Sequence, residues 1–568
     1  MNGIHMGRSG LRGVIDRFLA SHLELILPIP GKKLYRQFEQ ATLDVAATQR
    51  AVLLEILGYS AETVIGREHG FAGIEGYADY AAKVPVRDYE AHRPYVNRHA
   101  AGEEGVLFPG KPLMYNRSSG TTAEPKLLPV TPYAFERTIK NRGKLWLYGL
   151  MRHYPGMFAG KDLVLVSPAE EGITEDGTPF GSLSGLVYTH IPDFMKLVHS
   201  APSAVIEIED YEAKVYTTMR FAIASDVTCV FTGNPATVVN LVTMADSRRD
   251  DIIRDIREGT LKADLPIPEK IRAECEAMLS PAPALADRLQ AMVEAHGALR
   301  PREYWPNLRL LHTWTNGNCA LVVPKLEPWF GDVPVLDFGF IASEITATDL
   351  IDPATGGSIL QVRNAFYEFK REEQIDDPEA PFLLAHELEV GGRYYIYVTT
   401  FGGLYRYDMN DVIDVVGHFH QAPIVRFLYK GKGVTSLQGE KLSEAQLMQA
   451  VARASKETGL KHDFYVAWAN APEARYDLYI EFVPPIGKED QARFSAAVDA
   501  ALHEVNVEWE AKRHSKRLDP PNIIPLREKA FLGYCRLRLA EGALAGQLKW
   551  LHLTQQESTR ALLEKLAF

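Results

Sequence analysis

A run of hydroxyl-bearing residues between Tyr115 and Pro129 is the stretch of this chain with the clearest capacity for chemistry. It reads Tyr-Asn-Arg-Ser-Ser-Gly-Thr-Thr-Ala-Glu-Pro-Lys-Leu-Leu-Pro, so four hydroxyl residues surround one glycine and Lys126 follows. Hydroxyls and backbone N–H groups can surround phosphate oxygens, Gly120 allows close approach, and the lysine adds a positive charge. The stretch therefore predicts a phosphate-binding loop, with an ordinary polar surface loop as the alternative. It is not a Walker A loop, which ends in Gly-Lys followed by Ser or Thr.

Three later stretches carry further candidate residues. The sequence Phe-Gly-Phe-Ile-Ala-Ser-Glu at 338–344 places a Ser-Glu pair after aromatic residues, and Asp411 directly precedes a β-branched run. A carboxylate that accepts hydrogen bonds from two ribose hydroxyls makes a charge-assisted clamp. Lys549 follows Gly-Gln-Leu near the C-terminus. Taken singly, these are typical of a half-buried strand, a turn and an exposed lysine, so only their combination and order favour a nucleotide site.

In that order, the stretches resemble the acyl-acid amido synthetases of the auxin-responsive Gretchen Hagen type, a branch of the acyl-adenylate-forming superfamily with bacterial relatives. The resemblance runs from about residue 37 to residue 549. It includes Val-Pro-Val-Arg-Asp-Tyr-Glu at 84–90, Tyr-Arg at 405–406 and His-Gln-Ala-Pro at 420–423. General adenylating enzymes do not share the first and last of these, so the chain is identified as a bacterial-type member of this family.

The resemblance also implies which residues bind ATP and Mg²⁺. The hydroxyl-rich loop would cradle the phosphates, Phe340 would face adenine, Asp411 would hold the ribose, and Glu344 would position the metal and phosphates. The implied nucleotide-binding residues are Ser118, Ser119, Gly120, Thr121, Thr122, Phe340, Ser343, Asp411, Phe419 and Lys430. The implied catalytic residues are Lys549, Glu344 and Lys126, and Glu344 is also the implied metal ligand.

By the same resemblance, the reaction has two halves. A substrate carboxylate attacks the α-phosphorus of MgATP and forms an acyl-adenylate and pyrophosphate, and an amine, expected to be that of an amino acid, then attacks the activated carbonyl. The C-terminal lobe is expected to rotate between the halves about residues 430–433, where Gly431 and Gly433 suit a hinge. Residues 181–188 and 231–233 are expected to line the acyl pocket.

The sequence departs from the family pattern at three places, and one of them is Ile341, which replaces a small residue next to the position expected to face adenine. Ala123-Glu124-Pro125 stands where the family commonly has a second glycine in the loop, and Trp550-Leu551 follows Lys549 where a Pro-Arg sequence is common. Two alternatives therefore stay open. An acyl-CoA ligase would share the first half-reaction and differ in the acceptor, and a degenerate nucleotide-binding protein would catalyse neither half.

The pattern of apolar residues predicts an α/β fold in two domains. Alternating strand and helix patterns over residues 161–303 indicate a largely parallel sheet, and strands dominate from 308 onward. We expect a large adenylate-forming domain over residues 1–430, with a β-rich subdomain, and a small mobile α+β domain over 431–568. Within the first, residues 34–59 read as one helix and the Gly- and Ser-rich segment 177–188 as a loop.

Composition limits the class of partner. The chain has 568 residues and a net charge of −11, which argues against sequence-independent nucleic-acid binding. Its four cysteines contain no C-x-x-C pair, and no stretch approaches the ~20 apolar residues of a membrane span. We therefore expect a cytoplasmic monomer or weak homodimer whose partners are a small carboxylic acid and an amino acid or other amine, without nucleic acid or membrane.

Overall fold

A computed structural model describes residues 22–26, 28–117, 126–350, 353–375, 377–431, 434–435, 437–438, 440, 442–514, 517–541 and 551–568. The described chain forms two compact units. Residues up to 409 together with 413–428 make the first, and residues 410–412 together with 429–568 make the second. In the described part, no helix is both long and apolar enough to cross a lipid bilayer.

The first unit contains most of the helices. They are α1 Leu23–Ile26, α2 Pro28–Leu43, α3 Val45–Tyr59, α4 Val64–Glu68, α5 Tyr77–Lys83, α6 Tyr89–Ala100, α7 Pro132–Ala134, α8 Lys140–His153, α9 Leu183–His190, α10 Asp193–Lys196, α11 Tyr211–Ile223, α12 Pro235–Ser247, α13 Arg249–Glu258, α14 Glu269–Glu276, α15 Pro283–His296, α16 Pro301–Tyr304 and α17 Glu327–Phe330. A π-helical turn over Phe135–Ile139 joins α7 to α8.

Strands β1 to β15 begin in the first unit. They are β1 Met114–Arg117, β2 Leu127–Val130, β3 Lys161–Val164, β4 Gly172–Ile173, β5 Pro179–Gly181, β6 Val227–Phe231, β7 Leu310–Thr313, β8 Val335–Asp337, β9 Thr348–Asp349, β10 Ser358–Leu360, β11 Ala365–Arg371, β12 Leu383–Leu384, β13 Arg393–Thr400, β14 Tyr407–Phe419 and β15 Ala422–Lys430. They form three sheets, ordered β3-β6-β7-β8, β2-β1-β5-β4 and β12-β11-β13-β14-β15-β10-β9.

The sheet β3-β6-β7-β8 is entirely parallel. All residues of β6 and β7 are buried, as expected for strands covered by helices on both faces. Residues of α11, α12 and α13 complete this core, among them Met219, Leu241 and Ile252. In an open parallel sheet the carboxyl ends of the strands are the usual place for a ligand, and here Thr232, Trp314 and Phe338 follow those ends.

The seven-stranded sheet contains the longest strands. β11 runs antiparallel to β12 and β13, and β10 runs antiparallel to β9 and β15. Its core contains Tyr367, Phe369, Ile396 and Val398, and the first turn of α3 joins it through Val45. Residues 410–412 of β14 and 429–430 of β15 belong to the second unit.

The second unit combines two sheets with five helices in its described part. The strands are β16 Val434–Thr435, β17 Leu442–Ser443, β18 His462–Asn470, β19 Arg475–Phe482, β20 Asn522–Pro525 and β21 Leu553–Thr554, and the helices are α18 Glu444–Thr458, α19 Lys488–Val505, α20 Val507–His514, α21 Ala530–Ala540 and α22 Glu557–Glu564. The larger sheet has the order β20-β19-β18-β21. Strands β20 and β21 lie parallel to their neighbours.

The structure confirms the predicted α/β fold class and corrects two local assignments. The segment 34–59 forms two helices, because Asp44 breaks the run and caps α3 through a hydrogen bond from the Ala47 N–H. Most of the segment 177–188 is ordered as β5 and the first turns of α9. Its Gly and Ser residues were read as loop signals, but Ser182 begins a helix and Gly185 packs against the backbone at Ser167 and Ala169.

A capping box at the start of α18 gives a stability test. Ser443 Oγ accepts a hydrogen bond from the Gln446 N–H at 3.2 Å, and Gln446 Oε1 accepts one from the Ser443 N–H at 3.0 Å. We expect Ser443→Ala to cost about 1 kcal/mol. Hydrogen-exchange protection of the amides in α18 should then fall about fivefold. Ser558→Ala, at an exposed position of α22, serves as the control, and equal protection of α18 in both variants would contradict the assigned cap.

Candidate functional site

Lys126 and Glu344, both predicted from the sequence, meet in the first unit. The Lys126 ammonium lies 3.4 Å from Glu344 Oε1 and donates a hydrogen bond of 2.9 Å to the Tyr407 hydroxyl. That hydroxyl in turn donates to Glu344 Oε1 at 3.2 Å. The Glu344 side chain is 7% exposed and that of Lys126 is 26% exposed. The three groups thus form a closed triangle, which we call the charged triangle, with one cation, one anion and one hydroxyl.

Tyr89 fixes the chain next to this triangle. Its hydroxyl accepts a hydrogen bond of 2.7 Å from the Leu127 N–H and donates one of 3.1 Å to the Leu127 carbonyl oxygen. The Lys126 ammonium lies 5.5 Å from the centre of the Tyr89 ring and 5.6 Å from that of Tyr407, distances at which a cation is attracted to a ring face. The lysine is therefore held by two aromatic rings as well as by the carboxylate.

The segment that carries Ser343 and Glu344 is anchored at both ends. Asp337 accepts hydrogen bonds from the Thr315 and Gly339 N–H groups, each at 2.8 Å. Gly339 has φ +83°, and a Cβ there would lie 2.8 Å from Thr348 Oγ1, so the turn requires glycine. Further along, the Asn116 amide donates to the Ser343 carbonyl oxygen at 3.0 Å.

A cleft opens beside Glu344. Its wall is mainly apolar, with Leu128, Val130, Ile139 and Leu183, and Ser343 and Glu344 lie at its edge. Leu183 comes from the segment in which the acyl pocket was expected. The arrangement offers an apolar surface next to a charged pair, which suits a ligand with an apolar body and an anionic end.

Phe340, predicted to face adenine, is 6% exposed. Its ring stacks on that of Phe427 with centroids 5.7 Å apart, and its N–H donates to Thr348 Oγ1 at 2.7 Å. Phe419, predicted at the nucleotide site, stacks on Phe38 of α2 at 6.2 Å. The contacts of these two rings are contacts of the hydrophobic core, and their roles toward the nucleotide stay predictions.

Aromatic residues gather at the carboxyl end of the parallel sheet. The His312 ring lies edge-on to Phe338 at 4.5 Å, and its Nε2 accepts a hydrogen bond of 3.2 Å from the Trp146 indole. Phe231, also expected at the acyl pocket, lies 5.3 Å from the Trp146 ring. Full burial, reinforced by the nearby Arg142 guanidinium, holds the pKa of His312 well below its ordinary value, so this imidazole is neutral.

Arg142 forms a buried ion pair behind this aromatic group. Its Nε lies 2.7 Å from Asp349 Oδ1, and the side chains are 10% and 0% exposed. The Gln361 amide donates to the other carboxylate oxygen at 2.6 Å. Burial raises the pKa of Asp349 to about 6 even though Arg142 and Gln361 both favour the charged form. The desolvation of this carboxylate therefore outweighs its pairing.

In the second unit, the predicted ribose ligand Asp411 pairs with Lys430, another predicted site residue. Lys430 Nζ lies 2.5 Å from Asp411 Oδ1, and the aspartate side chain is 2% exposed. Asn410 precedes it with φ +55°, and its carbonyl oxygen accepts a hydrogen bond of 2.8 Å from the Gly431 N–H. A left-handed asparagine within β14 thus directly precedes Asp411.

Six predicted residues lie outside the described part of the chain. They are Ser118, Ser119, Gly120, Thr121, Thr122 and Lys549. The described flanks of the loop, β1 and β2, pair antiparallel from Met114 opposite Val130 to Arg117 opposite Leu127. Lys126 therefore directly precedes β2 of this antiparallel pair.

The residues of the described ranges include no group of three or more His, Cys, Asp or Glu side chains that could hold a metal ion. Magnesium needs no such group, because it is usually held by one or two carboxylates, water and the substrate's phosphates. Glu344 offers a hard oxygen ligand at the edge of the cleft, so its chemistry fits Mg²⁺ bound together with a triphosphate.

Sequence reasoning missed several residues that the structure brings to the site. Tyr89, Asn116 and Tyr407 contact predicted residues from distant positions, and Arg142 lies near His312 at the sheet end. A signal was available for the first three, since Tyr89 lies in the motif at 84–90, Asn116 in the hydroxyl-rich stretch and Tyr407 directly after the Tyr-Arg motif. Nothing in the sequence distinguishes Arg142 or His312 from ordinary core and helix residues.

Comparison with known families gives matches along most of the chain. A model of the GH3 family N-terminal domain matches residues 34–335, the GH3 family central domain matches 358–430, and the GH3 family C-terminal domain matches 445–558. The three follow one another in sequence order and together cover well over half of the chain.

Curated relatives extend over nearly the whole chain. Indole-3-acetic acid-amido synthetase GH3.3 of Arabidopsis thaliana is 24% identical over 547 residues, covering 91% of both proteins. Probable indole-3-acetic acid-amido synthetase GH3.2 of Oryza sativa subsp. japonica is 26% identical, covering 90% of this chain and 88% of the relative. Jasmonoyl--L-amino acid synthetase GH3.5 of the same rice is 25% identical, covering 93% and 95%.

Two solved structures share the fold. The GH3.15 acyl acid amido synthetase superposes with a TM-score of 0.84 at 22% identity, covering 93% of this chain and 95% of that one. AtGH3.15 acyl acid amido synthetase in complex with 2,4-DB gives a TM-score of 0.83 at 21% identity, covering 95% and 97%. At these identities the likeness establishes the architecture.

The raised pKa of Asp349 predicts a pH dependence of stability. Its ordinary value is 3.8 and its value in the fold is about 6, so the folded state binds the proton more tightly. The stability it contributes is full below pH 3.8 and is lost as the pH rises through 6, by about 3 kcal/mol. Urea denaturation between pH 4 and pH 7 should show this loss in the wild type and not in Asp349→Asn. Parallel profiles for the two proteins would contradict the assignment.

Proposed function

The chain belongs to the GH3 family, and on that premise we propose that it activates a carboxylic acid with ATP and conjugates the acyl group to an amino acid. The observation that carries this proposal is the succession of N-terminal, central and C-terminal GH3 domains over residues 34–558. The curated relatives are named as amido synthetases of indole-3-acetic acid and as a jasmonoyl-amino acid synthetase. The enzyme is accordingly an AMP-forming acid–amino acid ligase.

In the first half-reaction, an oxygen of the substrate carboxylate attacks the α-phosphorus of ATP. The bond between the α-phosphorus and the α,β-bridging oxygen breaks, so pyrophosphate leaves with that oxygen and a mixed anhydride of the acid with AMP forms. Negative charge grows on the leaving oxygens, where cations stabilise the transition state most. In our proposal Lys126 acts on the leaving phosphates and Lys549 on the reacting centre. Ser118, Ser119, Gly120, Thr121 and Thr122 surround the phosphates.

Glu344 is proposed to position Mg²⁺, which when bound neutralises charge on the phosphates. Its location at the edge of the cleft, with Lys126 alongside, supports this role. Phe340 and Ser343 are proposed on the adenine side of the same segment. Because Glu344 is paired with Lys126 in the described structure, we expect the incoming nucleotide to separate the two groups, the lysine moving to phosphate oxygens.

Asp411 is proposed to accept hydrogen bonds from the ribose hydroxyls. The short ion pair with Lys430 supports this indirectly, because it fixes the orientation of the buried carboxylate. Lys430 and Phe419 complete the proposed nucleotide-binding set. We further propose that residues 431–568 act as the mobile domain for the second half-reaction, in which the amine attacks the carbonyl carbon and AMP leaves.

The proposal also covers the cellular compartment, the branch of the family and the oligomeric state. We propose a cytoplasmic enzyme, which the reduced thiols of Cys229, Cys275 and Cys535 support. We also propose a bacterial-type member that works as a monomer or weak homodimer, without nucleic acid or membrane as partner. The net charge of −11 supports the absence of nucleic acid.

A product assay tests the proposed reaction. The protein is incubated with MgATP, a panel of aryl and alkyl carboxylic acids and a mixture of amino acids, and pyrophosphate release and product mass are recorded. We expect pyrophosphate only with particular acids, and a product whose mass equals acid plus amino acid minus water. A matched assay with coenzyme A in place of amino acids is the control. An acyl-CoA product there would replace the proposal with a ligase, and ATP binding without turnover would indicate a degenerate protein.

Substitutions test the proposed residue roles. Lys126→Met should lower kcat/KM for adenylation by about 10²- to 10³-fold, because a cation facing the leaving phosphates is lost. Lys140→Met, which removes a surface lysine paired with Glu136, should leave adenylation within twofold. Steady-state pyrophosphate release measures both. An effect of similar size in the two variants would contradict the specific role of Lys126.

The ribose role is tested by two neighbouring aspartates. Asp411→Asn should raise KM for ATP by about tenfold or more, since an amide accepts only one of two charge-assisted bonds well. Asp408→Asn, three residues earlier on the same strand, should change KM for ATP by less than threefold. A larger effect from Asp408 than from Asp411 would reverse our assignment of the ribose ligand.

A further inference from the structure

The distances within the charged triangle differ from those of an ordinary ion pair. A hydrogen-bonded ammonium and carboxylate normally approach to about 2.7–2.9 Å. Here Lys126 Nζ and Glu344 Oε1 are 3.4 Å apart, whereas the Tyr407 hydroxyl lies 2.9 Å from the first and 3.2 Å from the second. The lysine therefore makes its shorter hydrogen bond to the Tyr407 hydroxyl and not to the carboxylate. The same hydroxyl donates to Glu344 Oε1, the carboxylate oxygen that pairs with the ammonium.

The fold fixes Tyr407 in this place. Arg406, the preceding residue, has φ +44°, a left-handed conformation that is uncommon for a residue with a side chain. Its guanidinium is buried against Glu368, and its carbonyl oxygen accepts a hydrogen bond of 3.1 Å from the Arg87 N–H. The Tyr407 ring then packs edge-on to His92 at 5.6 Å. A tyrosine on a strand start held in this manner has little freedom to move.

We propose that Tyr407 is a positioning residue for Lys126 and Glu344, whose hydroxyl keeps the two charged groups close but prevents their collapse into a tight ion pair. This inference rests on the proposed function, because it concerns the two groups that receive the triphosphate and its metal. A tight pair would have to be broken before phosphate oxygens could reach Lys126. The longer pair opens at lower cost, and the hydroxyl can still donate to Glu344 after the lysine has turned to the phosphates.

Tyr407→Phe is the direct test, because it removes the hydroxyl and leaves the ring with its contacts to His92 and Lys126. We expect the dissociation constant of MgATP, measured by calorimetry without acid or amino acid, to rise about tenfold. In turnover, KM for ATP should rise by a similar factor while kcat changes less than threefold. If the substitution only damaged the fold, the melting temperature of the ligand-free protein would fall instead. KM for ATP would then not rise while kcat stays nearly unchanged.

Tyr405→Phe is the matched control. The Tyr405 hydroxyl is buried two residues earlier in the chain and donates to the Leu107 carbonyl oxygen at 2.6 Å, away from both charged groups. This variant should keep the MgATP dissociation constant within twofold of the wild type. If Tyr407→Phe also stays within twofold, the proposal is overturned.

A double-mutant cycle identifies the partner of the hydroxyl. In a Glu344→Gln background there is no ion pair to keep apart, so the effect of Tyr407→Phe on MgATP affinity should shrink to less than twofold. An undiminished tenfold effect in that background would refute action through Glu344. Failure of the wild type itself to bind MgATP would refute the proposed function instead, so the two failures are distinguishable.

A second replacement keeps the test open should the phenylalanine variant not fold. Incorporation of 4-fluorophenylalanine at position 407 keeps the size of the ring and replaces the hydroxyl with a group that cannot donate a hydrogen bond. The MgATP dissociation constant should then rise about tenfold, as expected for Tyr407→Phe, and a value within twofold of the wild type would contradict the proposal.

Discussion

The buried ion pair between Arg406 and Glu368 is the interaction on which the geometry of the first unit's site depends. The two side chains are 7% and 1% exposed, and Arg406 Nε donates to both carboxylate oxygens. Arg406 Nη1 also donates to the carbonyl oxygens of Ala81 and Val84 at the end of α5. One guanidinium thus ties a helix end to β11 and to the start of β14. Removing one partner of such a pair typically costs about 3–5 kcal/mol, because the other is left buried and charged.

The charged triangle also pairs a cation with an anion, here at the groups that we propose contact the ligand. A lysine beside a phosphate site and a carboxylate beside a metal site are each poorly stabilised when the ligand is absent and water is largely excluded. In this structure each serves as the other's counter-ion, with Tyr407 between them. In our proposal, binding of a metal-bound triphosphate exchanges this charge pair for new pairs, so that neither group has to be desolvated without a partner.

The sequence predicted the features that are local and left out those that join distant residues. The resemblance of the hydroxyl-rich loop, the Ser-Glu pair at 343–344 and the position of Asp411 before a β-branched run each depend on a few consecutive residues. By contrast, Lys126 and Tyr407 lie 281 residues apart, and Asn116 and Ser343 lie 227 apart. Such contacts follow from the topology of the sheets and leave no period or spacing in the chain. The prediction of a loop over 177–188 was wrong for a related reason. Ser182 begins a helix and Gly185 allows close packing against the backbone at residues 167–169, and neither role can be read from the composition of the segment.

Strand β14 carries two proposed functional side chains next to residues whose backbone conformation is unfavourable for a residue with a side chain. Arg406, just before the strand, and Asn410, within it, both have positive φ, at +44° and +55°. Neither residue is glycine, so each conformation costs free energy that tertiary contacts must offset. Arg406 is held by Glu368, and the Asn410 carbonyl oxygen is held by the Gly431 N–H. Arg406 directly precedes Tyr407 in the first unit, and Asn410 directly precedes Asp411 in the second. One strand therefore supplies a polar side chain to each unit. The strain at Arg406 is offset by its contacts in the first unit, and the strain at Asn410 by its hydrogen bond in the second.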